Sequence, residues 1–433
     1  MSEQLQRLLA NRKNESEFRG IYSVCSAHPW VLRAAMLQAK VSGGPLLIEA
    51  TSNQVNQFGG YTGMLPADFY RAVFDLAQQE DFPVERLILG GDHLGPNPWQ
   101  HLPAAEAMAH AETMVAAYAA TGFTKLHLDA SMPCAGDPSS LPDAVVAERA
   151  ARLCSAAEQA APGKTLLYII GTEVPTPGGA TEDLGHMHVT TKQAAQQTLE
   201  VHRRVFAEHG LTHVWPRVVA VVVQPGVEFN HDSVVFYQAD KATDLVTLLA
   251  DQKTLVFEAH STDYQLPSSY RELVRDGFAI LKVGPALTFA MREALFALAT
   301  IEATLLPENA RSRLPEIVEQ AMLRKPKDWA KHYEGTAEKQ ELLRRFSYSD
   351  RIRYYWNEPP VVEAVDRLLR NLEKQPIPET LISAYLPEQY RRLRVELPSL
   401  SPEDLVLDRI RQALEPYAVA CAAVSGSLGT VTQ

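Results

Sequence analysis

Ten residues, GGDHLGPNPW at Gly90–Trp99, place an acid beside an imidazole directly after the apolar run RLIL. Asp92 and His93 are costly to bury unless each is paired or holds a metal ion. A carboxylate can shuttle a proton and an imidazole can ligate a divalent cation, so the pair suggests acid–base chemistry beside a metal. A second imidazole, His260, ends another apolar run, LVFEAHS, far along the chain. Two imidazoles and an oxygen donor suit Zn2+ with open positions for substrate or water, and Mn2+, Ni2+ or Co2+ are alternatives. Glu173 and Gln224 are the candidate oxygen ligands, and Glu173 is also a candidate acid–base partner facing Asp92. The competing reading for each histidine is a plain hydrogen bond to backbone. His127 shares a strand face with Asp129 and reads either as an interior histidine or as a partner that orients a ligand.

Neighbours within a regular strand point to opposite faces, so Asp92 and His93 cannot both face one pocket from such a strand. In a glycine-rich strand end, Asp92 can still reach the pocket as the proton shuttle.

These residues need a scaffold that brings them together. Eight β-rich runs cover residues 20–27, 45–51, 86–93, 125–131, 166–173, 217–224, 254–261 and 279–285. Several are almost continuously apolar, as in parallel strands covered on both faces. Helical stretches alternate with them, among them PADFYRAVFDLAQQED, with proline in its first turn, and AAEAMAHAETMVAAYAATG, with glycine at its end. The alternation predicts an α/β (β/α)8 TIM barrel over residues 15–305. A doubly wound sheet fits less well, because no GxGxxG follows the first strand. An additional α-helical C-terminal region is expected over 306–425, then a flexible tail over 426–433.

Chemistry in such barrels sits at the C-terminal strand ends. Polar groups gather there: Ser23 and Ser26, Glu49 and Asn53, Asp92 and His93, Asp129 and Ser131, Glu173, Gln224, Glu258 and His260, and Lys282. Ser261, Thr262 and Gly284, with Lys282, mark the phosphate corner after the last two strands. Glu49, Asn53 and Asp129 are further candidate substrate contacts. ATSNQVNQFGGYTG and SMPCAGDP read as lid or substrate-contact loops, or as purely structural ones. SYSDRIRYYW reads as core packing, with capping the barrel or facing a partner as the alternatives.

The 433 residues carry a formal charge of −11. That argues against nucleic acid or an anionic membrane as partner, while a small anion needs only a local positive pocket. The four cysteines have no CxxC spacing and read as free thiols. The N-terminus lacks a signal-peptide h-region and no apolar run is long enough to span a membrane, so a cytoplasmic protein is expected.

IEATSNQVNQFGGYTGM, GGDHLGPN, KLHLDASMPCAGDP, IIGTEVPTPGG, VVVQPGVEF, FEAHSTDYQ, LKVGPALTFA and SYSDRIRYYW together resemble the Z-subunit family of D-tagatose-1,6-bisphosphate aldolase. The resemblance runs from about Gly20 to at least Tyr390. It implies galactitol and N-acetylgalactosamine catabolism, a sugar-phosphate substrate, a class II aldolase chain as partner, and self-association as a further option. Family members also carry the name tagatose-6-phosphate kinase, but this sequence has no GxxxxGK[ST] loop and no kinase signature set. In the wider class II aldolases, Asp92–His93 match an Asp-His pair in which Asp is the acid–base and His a ligand. His260 matches a later metal histidine, and Gln224 stands where those chains have another. The alternative to a Z-type subunit is a metal-dependent ketohexose 4-epimerase, interconverting fructose and tagatose 6-phosphates by retro-aldol cleavage and religation.

Overall fold

The computed structural model describes residues 2–10, 19–171, 188–250, 252, 254–397 and 400–422. Glu173 and the tail expected over 426–433 lie outside the described residues.

Ten strands are present among them: β1 Ile21–Val24, β2 Leu46–Thr51, β3 Leu87–Leu94, β4 Lys125–Leu128, β5 Leu167–Ile170, β6 Val218–Val222, β7 Glu228–Phe229, β8 Val234–Val235, β9 Val256–Ala259 and β10 Phe278–Val283. β7 and β8 form a small antiparallel hairpin in the loop after β6. The other eight are parallel and close into a barrel in chain order, β10 pairing back onto β1. The fold is therefore the (β/α)8 barrel that the alternating pattern predicts, followed by a helical C-terminal region. Most strands end before the apolar-plus-polar runs do. Residues such as Cys25, His260 and Ser261 stand just past the last ladder bonds, where loops form the barrel mouth.

The barrel interior is packed with Ile21, Leu47, Ile88, Leu167, Ile169 and Val219, among others. Leu5, Leu8 and Leu9 of the helix Ser2–Ala10 join this cluster. Their i, i+3, i+4 spacing makes one apolar stripe, and it packs onto strand residues from the N-terminal halves of the strands. The closed end of the barrel thus lies opposite the mouth.

β3 carries the irregularity that matters most. Gly91 pairs with Leu126, but the next paired residue, Leu94, meets Leu128. Three steps on β3 oppose two on β4, a bulge of one residue that holds Asp92 and His93. His93 has φ +48°, in the left-handed region. A bulge re-aims side chains, so the regular-strand expectation that these neighbours face opposite ways does not apply. The flanking glycines fit the close packing. A Cβ on Gly90 would stand 2.9 Å from Glu49 Cγ, and one on Gly95 would stand 1.5 Å from the Asp129 carbonyl oxygen.

The C-terminal helix Pro402–Cys421 packs on the helices Pro29–Ser42, Pro267–Arg275 and Pro285–Leu305. Its N-terminus is closed by a Ser401–Asp404 capping box. The Tyr417 hydroxyl donates to the Thr262 carbonyl at 2.8 Å, and Thr262 Oγ1 donates to the Lys282 carbonyl at 2.6 Å. The last helix is thereby tied to the loop after β9 and to β10. No helix among the described residues is long and apolar enough to cross a membrane.

Candidate metal and acid–base site

A layer of fully buried charge lies beneath the mouth. Lys125 on β4 bridges Glu49 of β2 and Glu258 of β9, with Nζ 2.8 Å from an oxygen of each. Lys282 of β10 stands 2.9 Å from Glu49 and 2.9 Å from Asp92. Ser23 Oγ donates to Glu49 at 2.6 Å. Buried charges at this depth persist only when compensated. Burial works against both Glu258 and Lys282, yet Lys125 and Lys282 hold the Glu258 carboxyl well below its usual range. Asp92, Cys25 and Glu49 likewise push the Lys282 ammonium well above its own.

Above this layer three imidazoles face one another. The rings of His93 and His260 are 4.8 Å apart, those of His93 and His127 5.1 Å, and those of His127 and His260 5.2 Å. His260 Nε2 lies 2.9 Å from Glu258 Oε1. Burial lowers the His260 pKa to about 3, which leaves the ring neutral and able to offer a lone pair. His93 Nδ1 lies 2.6 Å from Asp129 Oδ2, and its Nε2 is turned toward Asp92 at 3.9 Å. Burial opposes protonation of His93, but Asp92 and Asp129 outweigh it and raise its pKa. Burial likewise opposes ionisation of Asp92, but His93, Lys282 and His127 hold it well below the carboxylate range. In the same way His93 brings Asp129 down to about 2.

Among the described residues, one group of side chains can hold a metal. Asp92, His127, Glu258 and His260 each offer a donor atom, all within 4.8 Å of one another and all buried. His127 is anchored within this group. Its Nε2 lies 3.1 Å from the Gly171 carbonyl, which can only accept, so Nε2 carries the hydrogen. Nδ1 lies 3.0 Å from Asp92 Oδ1 and 3.3 Å from the His93 amide nitrogen. Lys282 Nζ, 2.9 Å from the same Asp92 Oδ1, sets a positive charge beside that contact. Carboxylate and imidazole donors fit a divalent first-row metal.

The structure distributes the residues singled out in the sequence as follows. Asp92, His93, His260, Asn53, Ser261, Lys282 and Gly284 all line one cavity of about 390 Å³ at the mouth. Gln224 is committed to backbone hydrogen bonds. Its Oε1 accepts from the Gly226 and Val227 amides, at 2.8 and 3.0 Å, and so shapes the loop after β6. Glu49 is fully buried beneath the floor instead of contacting a ligand in the cavity, and Asp129 orients His93 from behind. The phosphate corner is altered too. The Gly284 and Ala286 amides at the start of the helix Pro285–Leu305 both donate to Asp263 Oδ1, at 3.0 and 2.9 Å. The helix N-terminus is occupied by the chain's own carboxylate.

His127 and Glu258 belong to the donor group although neither was proposed as a ligand from sequence. Their signal was the inward alternation of Lys125, His127 and Asp129 in KLHLDAS, matched by Glu258 and His260 in FEAH. In ATSNQVNQFGGYTG, Asn53, Gln54 and Tyr61 reach the cavity, while Asn56 Oδ1 accepts the Phe58 and Gly60 amides and folds the loop. SMPCAGDP is structural: Asp137 accepts from the Cys134 amide and pairs with Arg149. SYSDRIRYYW divides. Tyr355 and Trp356 are core, whereas Arg351, Arg353 and Tyr354 line the cavity, contrary to packing alone.

A closed parallel barrel with titratable groups converging at its C-terminal mouth defines a TIM-barrel protein with an enzyme-type pocket. Residues 5–422 match the model of the D-tagatose-1,6-bisphosphate aldolase subunit GatZ/KbaZ-like family, and the chain belongs to that family. A crystal structure described as a probable tagatose 6 phosphate kinase from Sinorhizobium meliloti 1021 is similar throughout. It has 53% identity and a TM-score of 0.86 over 93% of this chain and 100% of that one. A fructose-bisphosphate aldolase from Campylobacter jejuni matches at 14% identity and a TM-score of 0.48, over 98% of this chain and 96% of that one.

Proposed function

We propose that this chain is a Z-type component of a class II tagatose-bisphosphate aldolase whose own barrel mouth carries out aldol-type chemistry on a ketohexose phosphate. One observation carries the reading: four buried donors, Asp92, His127, Glu258 and His260, converge beside a cavity of small-molecule size. A chain that only supported a partner would have no chemical use for that convergence. No kinase activity is assigned, since the sequence offers no phosphate-cradling P-loop.

Asp92, His127, Glu258 and His260 would hold a divalent cation, with His93 beside them, and when bound such an ion polarises a carbonyl and stabilises developing negative charge. The remaining work falls to side chains. Asp92, ionised by its cationic neighbours, accepts the proton of the sugar hydroxyl whose oxygen becomes the aldehyde as the C3–C4 bond breaks. His93, held by Asp129, is placed to return a proton from Nε2. Lys282 offsets the charge that gathers on Asp92 and the substrate oxygens. Glu173, outside the described residues, remains a candidate second acid–base group.

A second reading, ketohexose 4-epimerisation, is favoured by the roof. Arg351, Arg353 and Tyr354 from the C-terminal region line the cavity together with His93 and His260. A covered site can retain both fragments long enough for the aldehyde to turn and rejoin.

The test uses the purified full chain with Zn2+, Mn2+ or Ni2+. Tagatose bisphosphate is followed for triose release, and tagatose 6-phosphate and fructose 6-phosphate for interconversion. Turnover that disappears in Asp92→Asn and His260→Ala supports chemistry on this chain. Inactivity under every metal, relieved only by adding an aldolase chain, overturns it in favour of a supporting role. Metal analysis of the same variants gives an independent readout of the donor group.

A further inference from the structure

Part of the cavity wall is built by the C-terminal region. Lys327, Lys331, Arg351 and Arg353 line the same space as His93 and His260. Among the described residues, none of these four cations lies within ion-pair distance of a carboxylate; the chain as a whole carries a charge of −11. Arg351 is 5% exposed, and its Nε has no hydrogen-bond partner. Its NH1 group donates to the backbone carbonyl of Asp328 at 2.9 Å, not to the carboxylate. Arg353 donates to the carbonyls of Ser349 and Asp350 and to the Tyr354 hydroxyl, all uncharged acceptors. Unpaired guanidinium groups in a buried wall are costly unless a ligand completes them.

The usual anion seat of such barrels is closed. Asp263 already accepts both free amides at the Gly284 helix start, and Lys282 is engaged by Glu49 and Asp92. An incoming phosphate would meet a carboxylate there, whereas the C-terminal region brings four cations to the cavity against one carboxylate of its own, Asp328.

We propose that the phosphate of the substrate is bound by Lys327, Lys331, Arg351 and Arg353, so that the helical C-terminal region forms the anion subsite of the barrel. The forked guanidinium groups suit phosphate oxygens in pairs, and the lysines add point charge. This deepens the proposed reading, on which the sugar-phosphate substrate rests. It also gives the ketose a direction, with its phosphate under the roof and its reacting carbons at the imidazole floor.

The test is calorimetric titration of the full chain with inorganic phosphate, and separately with tagatose 6-phosphate and with unphosphorylated tagatose. Inorganic phosphate is expected to bind with an affinity that falls as salt rises. Lys331→Gln and Arg353→Gln should each weaken it on the order of tenfold or more, and the double variant on the order of a hundredfold. Lys331 is exposed, so its replacement leaves folding intact even if a change at Arg353 does not. Tagatose 6-phosphate should bind more tightly than tagatose, and that preference should vanish in the double variant. Absence of phosphate binding to the parent chain overturns the proposal, as do variants that bind like the parent. Phosphate binding without sugar turnover overturns the proposed chemistry and leaves the subsite standing.

Discussion

His93 Nδ1 and Asp129 Oδ2 lie 2.6 Å apart, and this contact fixes which ring nitrogen of His93 faces the cavity. Asp129 takes no place on the cavity wall and acts through the imidazole. Asp129→Asn keeps the shape but replaces the charged acceptor with a neutral amide. Turnover should fall roughly 10- to 100-fold, with substrate affinity changed much less. Kinetics of the variant beside its melting temperature make the check. An unchanged turnover number, with the fold intact, would remove His93 from the proton path.

Lys125 holds two carboxylates that have no route to solvent. Lys125→Met removes the nearer cation from Glu258 and leaves Lys282 at 2.9 Å from Glu49 and 3.6 Å from Glu258, so the cost should stay below the roughly 3–5 kcal/mol of a buried pair broken outright. Denaturant unfolding should show this loss, and the added change Glu49→Gln should recover part of it. Failure of the second change to help would mean that the penalty arises from packing and not from charge.

Gly95 has no room for a side chain, because a Cβ would fall on the Asp129 carbonyl oxygen. Gly95→Ala should shift the strand end that carries Asp92 and His93, lowering both the melting temperature and metal retention. A variant with the parent's melting curve would show that the loop yields at little cost.

Asp263 gives a pH dependence of stability. Burial raises its pKa from 3.8 to about 6, against the two amide bonds that lower it. The folded chain therefore holds this proton more tightly than the unfolded chain does. Its contribution is full below the unfolded value and is lost as pH rises through about 6. Asp263→Asn keeps the acceptor oxygen without the charge. It should match the parent near pH 3.5 and gain up to about 3 kcal/mol above pH 7. Melting curves across that range decide, and a variant less stable than the parent at pH 7.5 contradicts the prediction.

Much of the scaffold was legible because period and composition report burial directly. Runs such as RVVAVVVQ have no solvent face, and their alternation with amphipathic helices leaves few topologies open. The hairpin of β7 and β8 was missed, since two-residue strands carry no period to read. Leu5, Leu8 and Leu9 did carry one, but the residues they cover come from strands scattered along the chain. In the site, strand-end position singled out Asp92, His93 and His260, and all three line the cavity. The bulge that turns Asp92 and His93 to one space depends on how β3 settles against β4, which no local pattern encodes. Gln224 illustrates a related limit. Its oxygen is consumed by the turn that follows it, a competition decided by loop geometry. Arg351 and Arg353 sit among aromatics in the sequence, and the alternation that sends them inward while Tyr355 and Trp356 enter the core is set by a short turn, not a regular helix.

The bond from Tyr417 to the Thr262 carbonyl joins two points separated by 155 positions. During synthesis, Thr262 leaves the ribosome long before its anchor exists. A nascent chain can close its barrel early, yet the loop after β9 stays untethered until translation is almost complete. Catalytic competence should therefore arrive late, as a terminal event of biosynthesis, and premature stop codons within the last helix should yield barrels that assemble but do not work.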